Sequence, residues 1–167
     1  DTLKELKADT KKKLEEENQK RAKFETEEEA IKAVVDATEV NIPAVMIENE
    51  INDYTKEMES RLRYQGMNLE TYLQLMGQSI SDFKEEYKDR AEENVKTKLT
   101  LEAIFNAENI EITDKDIEEK LKQIAERYGS TGANVEELIK NPTDNLKEYI
   151  KEELKYDLAI KFIMDNL

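Results

Sequence analysis

The sequence has no histidine, no cysteine and no tryptophan, and only four glycines and two prolines. Each shortage closes off some chemistry. Without His or Cys there is no thiolate nucleophile, no serine–histidine triad and no zinc site of the usual ligand set. Four glycines cannot supply a dinucleotide fingerprint or a phosphate-cradling loop. No apolar run approaches the ~18 residues that suggest a membrane span, and no signal peptide is visible, so a soluble chain is expected. The missing cysteines remove disulfides without fixing a compartment.

What the chain has in abundance is charge. Charged residues make up 40% of its 167 positions, with 40 acidic against 26 basic groups and a net charge of −14. That balance repels a phosphate backbone and argues against nucleic acid as a partner. The apolar fraction of 38% is below the usual ~45–50% of globular chains, which predicts a thin core and an elongated helical domain. The sequence opens inside a charged helical pattern with no initiator Met, so it is expected to be part of a longer protein.

Almost every segment reads as helix. Residues 1–36 are rich in Lys and Glu, with opposite charges four apart (Lys12 with Glu16, Glu16 with Lys20, Glu17 with Arg21) supporting a solvated strut. Its apolar end carries Ile31, Val34 and Val35. Pro43 ends that element and opens a second helix over residues 44–65, with Ile47, Ile51, Tyr54, Met58 and Leu62 on one stripe. Gly66 is expected to close it. A short helix over 68–76 stops at Gly77. A long helix, capped by Ser79 or Ser81, then runs to about Ala107.

Thr113 to Asp116 is a box-like cap for a helix carrying Ile117, Leu121, Ile124 and Tyr128. A small-residue loop over 130–133 and a short helix through Val135, Leu138 and Ile139 lead to Pro142. The last helix, over 143–167, is apolar nearly all round at its end, so Phe162, Ile163 and Ile160 are expected to be buried against Val34, Val35 and Ile31. The pattern predicts an all-α domain with a body and two projecting helical arms. Residues 1–42 form the long helix and body, 43–108 the first arm, 109–142 the second, and 143–167 a helix returning to the body. No heptad run requires a coiled coil.

Candidates for chemistry are few. The glutamate runs at 15–17, 27–29 and 85–86 read as hydrated helix faces, since a general acid needs burial or a close like charge. Asp114 and Asp116 lack the glycine and terminal Glu of a calcium loop. No catalytic residue, cofactor or metal ligand is assigned. More suggestive is the clustering of Met46, Met58, Met67 and Met76 with Tyr54, Tyr64 and Tyr72. Periodicity alone favours core filling, but a thin arm cannot cover every apolar face, and exposed apolar patches mark interaction sites.

Several segments carry a family resemblance. Val40-Asn41-Ile42-Pro43-Ala44-Val45-Met46-Ile47-Glu48-Asn49-Glu50-Ile51 resembles a segment of bacterial trigger factor. So do Arg61 to Met67, Leu69 to Leu73, Val95-Lys96 with Leu99 to Ile104, and Ile110 to Asp114. The resemblance runs along essentially the whole chain in the family's order, and matches its C-terminal chaperone domain. The family's ribosome-docking and prolyl isomerase domains have no counterpart here. The resemblance implies an ATP-independent, cytoplasmic chaperone domain, not itself an enzyme, that binds unfolded or nascent polypeptides. Ribosome contact would come only through the missing domains, and no membrane or nucleic acid is implied.

The implied client surface combines Ile124, Tyr128, Val135, Leu138 and Ile139 in the second arm with Met58, Leu62, Tyr64, Met67, Tyr72 and Met76 in the first. Two alternatives stay open. One is the chaperone module of an extracytoplasmic SurA- or PrsA-type isomerase. The other is a structural helical protein that self-associates through the same stripes, and a homodimer is left open.

Overall fold

Capping chemistry sets where the helices begin and end. The computed structural model describes residues 2–128 and 142–167. Among them are seven helices: α1 (Leu3–Ala37), α2 (Ala44–Tyr64), α3 (Leu69–Met76), α4 (Ile80–Glu86), α5 (Lys88–Ala107), α6 (Asp114–Tyr128) and α7 (Asp144–Asp165). No strand occurs among the described residues, so the architecture is all-α. The expected loop at 130–133 and helix at 135–139 lie outside them.

Side chains cap the starts. Ser79 and Asp82 form a reciprocal box at α4, each bonding the other's backbone N–H. Thr113 and Asp116 do the same at α6. Asn68 accepts from the Thr71 N–H at 2.8 Å and Thr143 from the Leu146 N–H at 3.3 Å. Each satisfies a donor that a helix start leaves orphaned.

Three ends share one closing pattern. After α2, Met67 N–H bonds the Leu62 carbonyl and Gly66 N–H bonds that of Arg63. Gln78 and Gly77 repeat it on Leu73 and Gln74 after α3, and Ile110 and Asn109 on Phe105 and Asn106 after α5. This paired closure needs a left-handed residue, supplied by Gly66 (φ 76°), Gly77 (φ 70°) and Asn109 (φ 51°). Glycine does so freely, and asparagine tolerates it best among the others.

The helix expected to run unbroken from Ser79 to Ala107 is divided at Tyr87 into α4 and α5. The backbone bonds continue through the division, Tyr87 N–H to Phe83 and Ala91 N–H to Tyr87. Tyr87 sits in the helical region, at φ −84° and ψ −8°, so no glycine or proline was needed to mark the spot.

The chain divides into two compact units, one of Asp1–Ala37 with Leu101–Leu167 and the other of Thr38–Thr100. In the first, Ala30, Leu101, Ala159 and Ile163 form a buried cluster flanked by Val34, Ile104, Phe105, Tyr156, Ile160 and Met164. Leu121, Ile150 and Leu154 form another where α6 meets α7. Burial of the last helix all round is not found. Ala159 and Ile163, four residues apart, lie at the contact line with α1 and α5, whereas Phe162, about 100° round the helix, is only half-buried.

Along α1, Lys12 pairs with Glu16 at 3.9 Å, but Arg21 turns to Glu25 and Asn18 instead of Glu17. In the second unit Leu62, Leu69 and Leu73 make the core, with Met58, Met67, Tyr72 and Phe83 packed on it. Leu62 is only 6% exposed. Its place in the proposed client surface is therefore corrected: it joins α2 to α3 instead of facing outward.

Candidate functional site

Several large side chains of the Thr38–Thr100 unit converge from α2, α3, α4 and the junction at Tyr87. Tyr54 and Met58 sit one turn apart on α2 and share a face. Phe83 on α4 and Tyr87 just after it have the same spacing. The two pairs meet, with the rings of Tyr54 and Tyr87 stacked at 3.5 Å between centroids and 7° between planes. Phe83 lies 5.9 Å from Tyr54. An offset pair such as Tyr54–Phe83 adds about 0.5–1.5 kcal/mol beyond the area it buries.

Beside the stack is a groove of about 400 Å³ bounded by Met58, Tyr72, Leu73, Met76, Phe83 and Tyr87, with Gln78, Glu86 and Arg90 at its polar edge. Its floor is firm, since Leu73 is 2% exposed. Its rim is open. Met76, which lines the groove, is 62% exposed. The short α3 gives the reason: eight residues provide two turns, and one face is spent on Leu69 and Leu73. Glu70, Thr71, Gln74 and Leu75 of the same helix are exposed.

Charge at the groove is unevenly engaged. Glu86 accepts from the Gln78 amide at 3.0 Å, and Glu50 accepts from Lys98 at 2.6 Å and Asn94 at 3.5 Å. The Arg90 guanidinium stands 5.4 Å over the Tyr87 ring. Burial pushes the Tyr87 hydroxyl above the usual tyrosine range, Arg90 pulls the other way, and Tyr54 and Glu50 add to the rise.

In the other unit, Ile124 is half-buried against Leu121, Ile150 and Leu154. Lys120 spans the α6–α7 seam to Asp157 at 2.7 Å and Glu153 at 3.4 Å. Burial lowers its pKa, but the bond and the two carboxylates outweigh that, and the net direction is up. Asp82 and Asp116 are held below the ordinary aspartate range by the Ser79 and Thr113 hydroxyls and N–H groups they accept from. Among the described residues no group of three acidic side chains is arranged to hold a metal, and no helix is long and apolar enough to cross a membrane.

Of the residues expected to form an apolar surface, Met58, Tyr72 and Met76 come together in the groove. Met67 is half-buried beside Leu62, while Tyr64 is 92% exposed and apart from the groove lining. Val135, Leu138, Ile139 and the side chain of Tyr128 lie outside the described residues. Leu73, Phe83, Tyr87 and Arg90 were not assigned from the sequence. The matching one-turn spacing of Tyr54 with Met58 and of Phe83 with Tyr87 is the signal that could have paired them.

The family model described as bacterial trigger factor protein C-terminus matches residues 2–165. Proteins named trigger factor from Bacillus licheniformis, Caldanaerobacter subterraneus subsp. tengcongensis and Ruminiclostridium cellulolyticum are 42%, 41% and 40% identical to this chain. Each alignment covers 99% of the chain, which spans 38% of the length of these curated relatives. No solved structure matches.

Proposed function

The chain belongs to the family of the bacterial trigger factor C-terminus, and from that membership we propose that it is an ATP-independent chaperone domain that binds unfolded or nascent polypeptides. The observation that carries this reading is the open apolar groove of the Thr38–Thr100 unit, lined by Met58, Tyr72, Phe83 and the exposed Met76. Methionines adapt their shape to varied apolar side chains. A shallow groove on a highly charged chain holds a segment weakly and lets it go, while several such contacts along one client add avidity. Tyr64 and Ile124, with Tyr128, Val135, Leu138 and Ile139, are proposed as further contacts. Catalysis is not part of the proposed role. Isomerase activity and ribosome contact would belong to the parts of the relatives that this chain does not match, and the working compartment would be the bacterial cytoplasm.

The test is a light-scattering assay of a refolding client at several molar ratios, together with an NMR titration. Suppression of aggregation without ATP is expected, with shifts at Met58, Tyr72, Met76 and Phe83. No suppression at large excess, or shifts confined to the charged face around Lys11 to Arg21, would sink the reading.

A further inference from the structure

Two tyrosines of the Thr38–Thr100 unit meet at closer range than ordinary aromatic packing brings them. The Tyr54 ring on α2 and the Tyr87 ring between α4 and α5 stack at 3.5 Å between centroids, with 7° between planes. Aromatic pairs more often stand about 4.5–7 Å apart and avoid a direct sandwich. Phe83 flanks both, 5.9 Å from Tyr54 and 6.4 Å from Tyr87. A hydrogen bond between the two hydroxyls is one of the causes that hold the Tyr87 phenol protonated, so the oxygen-bearing ends of the rings lie together. The carbons ortho to the two oxygens therefore face each other across the stack. Composition supplies a second observation. Thiols and indoles compete for one-electron oxidants, and a thiol repairs a tyrosyl radical by giving it a hydrogen atom. This chain has neither Cys nor Trp, so its seven tyrosines are its readiest one-electron donors. Its methionines oxidise by another route, gaining an oxygen atom.

We propose that Tyr54 and Tyr87 are a site of oxidative cross-linking, at which one-electron oxidants derived from hydrogen peroxide join the two rings as dityrosine. Each phenol loses one electron and its O–H proton. The unpaired spin of each radical spreads onto the ortho carbons, and the two radicals combine in one carbon–carbon bond. The hydrogen on each newly bonded carbon then shifts to the oxygen beside it, and both rings regain aromaticity. The pair gives up two electrons and two protons in all, which turn one hydrogen peroxide into two waters. The bond ties α2 to the point where α4 and α5 divide, and so fixes the wall that Tyr87 gives the groove. This modification is independent of whether the groove holds clients.

The test is oxidation of the chain by hydrogen peroxide with a small haem-peptide catalyst at low protein concentration. A monomer lighter by two hydrogens is expected, with dityrosine fluorescence. Tryptic digestion should give a linked species that joins the peptide ending at Lys56 to the one ending at Lys88. Tyr54→Phe and Tyr87→Phe should each abolish it while keeping a ring in the stack, with circular dichroism checking that helix content is retained. Tyr64→Phe should leave it intact, since that residue is 92% exposed and is suited to links between molecules. Because the stack pre-positions the rings, unfolding in urea should lower the yield by about tenfold or more. The yield in the folded chain should not change on dilution. An equal yield in urea, a link that survives Tyr54→Phe, or no linked peptide once Tyr64 has been consumed would overturn the proposal.

Discussion

The α6–α7 pair and the α2–α5 region are made of the same material, helices with one apolar stripe, yet they end differently. In α6–α7 the stripes meet face to face. Ile150 is fully buried between Leu121 and Leu154, and Lys120 closes the seam to Glu153 and Asp157. In α2–α5 a leucine cluster joins α2 to the short α3, Ile51, Ala91 and Val95 are buried on the longer helices, and α4 buries no residue completely. Around the leucine cluster Met58, Met67, Tyr72 and Phe83 are only half-buried. An amphipathic stripe guarantees a contact face. The length and number of neighbouring helices decide whether the face becomes interior or stays open.

The contrast can be broken most forcefully at its closed end. Ile150→Ala removes a side chain with no exposed surface and should cost about 2–5 kcal/mol, read as a lower denaturant midpoint. An unchanged midpoint would mean that the α6–α7 seam is not a core.

A smaller effect is expected at the caps, which the two regions share. Thr113→Ala should cost about 1 kcal/mol, and the same box has a characteristic pH signature. Asp116 has a depressed pKa in the folded chain. Its contribution is therefore complete above the ordinary aspartate pKa and is lost as the pH falls from there through the folded value. Urea titrations at stepped acidic pH should show the stability gap between wild type and Thr113→Ala shrinking. A gap that holds at low pH would show that the carboxylate plays no part.

The smallest effect on stability belongs to the open end. Met76→Ala should change it by no more than about 0.5 kcal/mol, because the side chain is largely solvated. The same variant should weaken the NMR shifts that a client induces around the groove. A large loss of stability would place Met76 in the core and remove the contrast.

Much of the fold was legible because helix starts and stops carry local chemistry. The Thr113–Asp116 box, Ser79, Gly66 and Gly77 all act where their side chains or lack of one predict. The division at Tyr87 was not legible, because the i to i−4 bonds pass through it and no breaker marks it. Nor was the closure at Asn109, where asparagine does what glycine does elsewhere. The groove was harder still. Met58, Tyr72 and Met76 could be suspected from composition, but Leu62 lies on the same α2 stripe and is buried. Periodicity names a stripe and says nothing of the helix that will cover each position along it.

From Thr2 to Thr26 every described side chain of α1 is exposed, and the helix first meets the core at Ala30. Its backbone order over those turns depends on propensity and i,i+4 ion pairs alone, and a helix of that length on its own is marginal in water. Such a segment does not melt with the core. In this chain it unzips progressively through its exposed turns towards the core as temperature or salt rises, and amide exchange should grade from fast near Leu6 to slow near Val34, with ellipticity drifting well before the cooperative transition. Part of this protein therefore follows helix–coil statistics while the remainder unfolds as a unit.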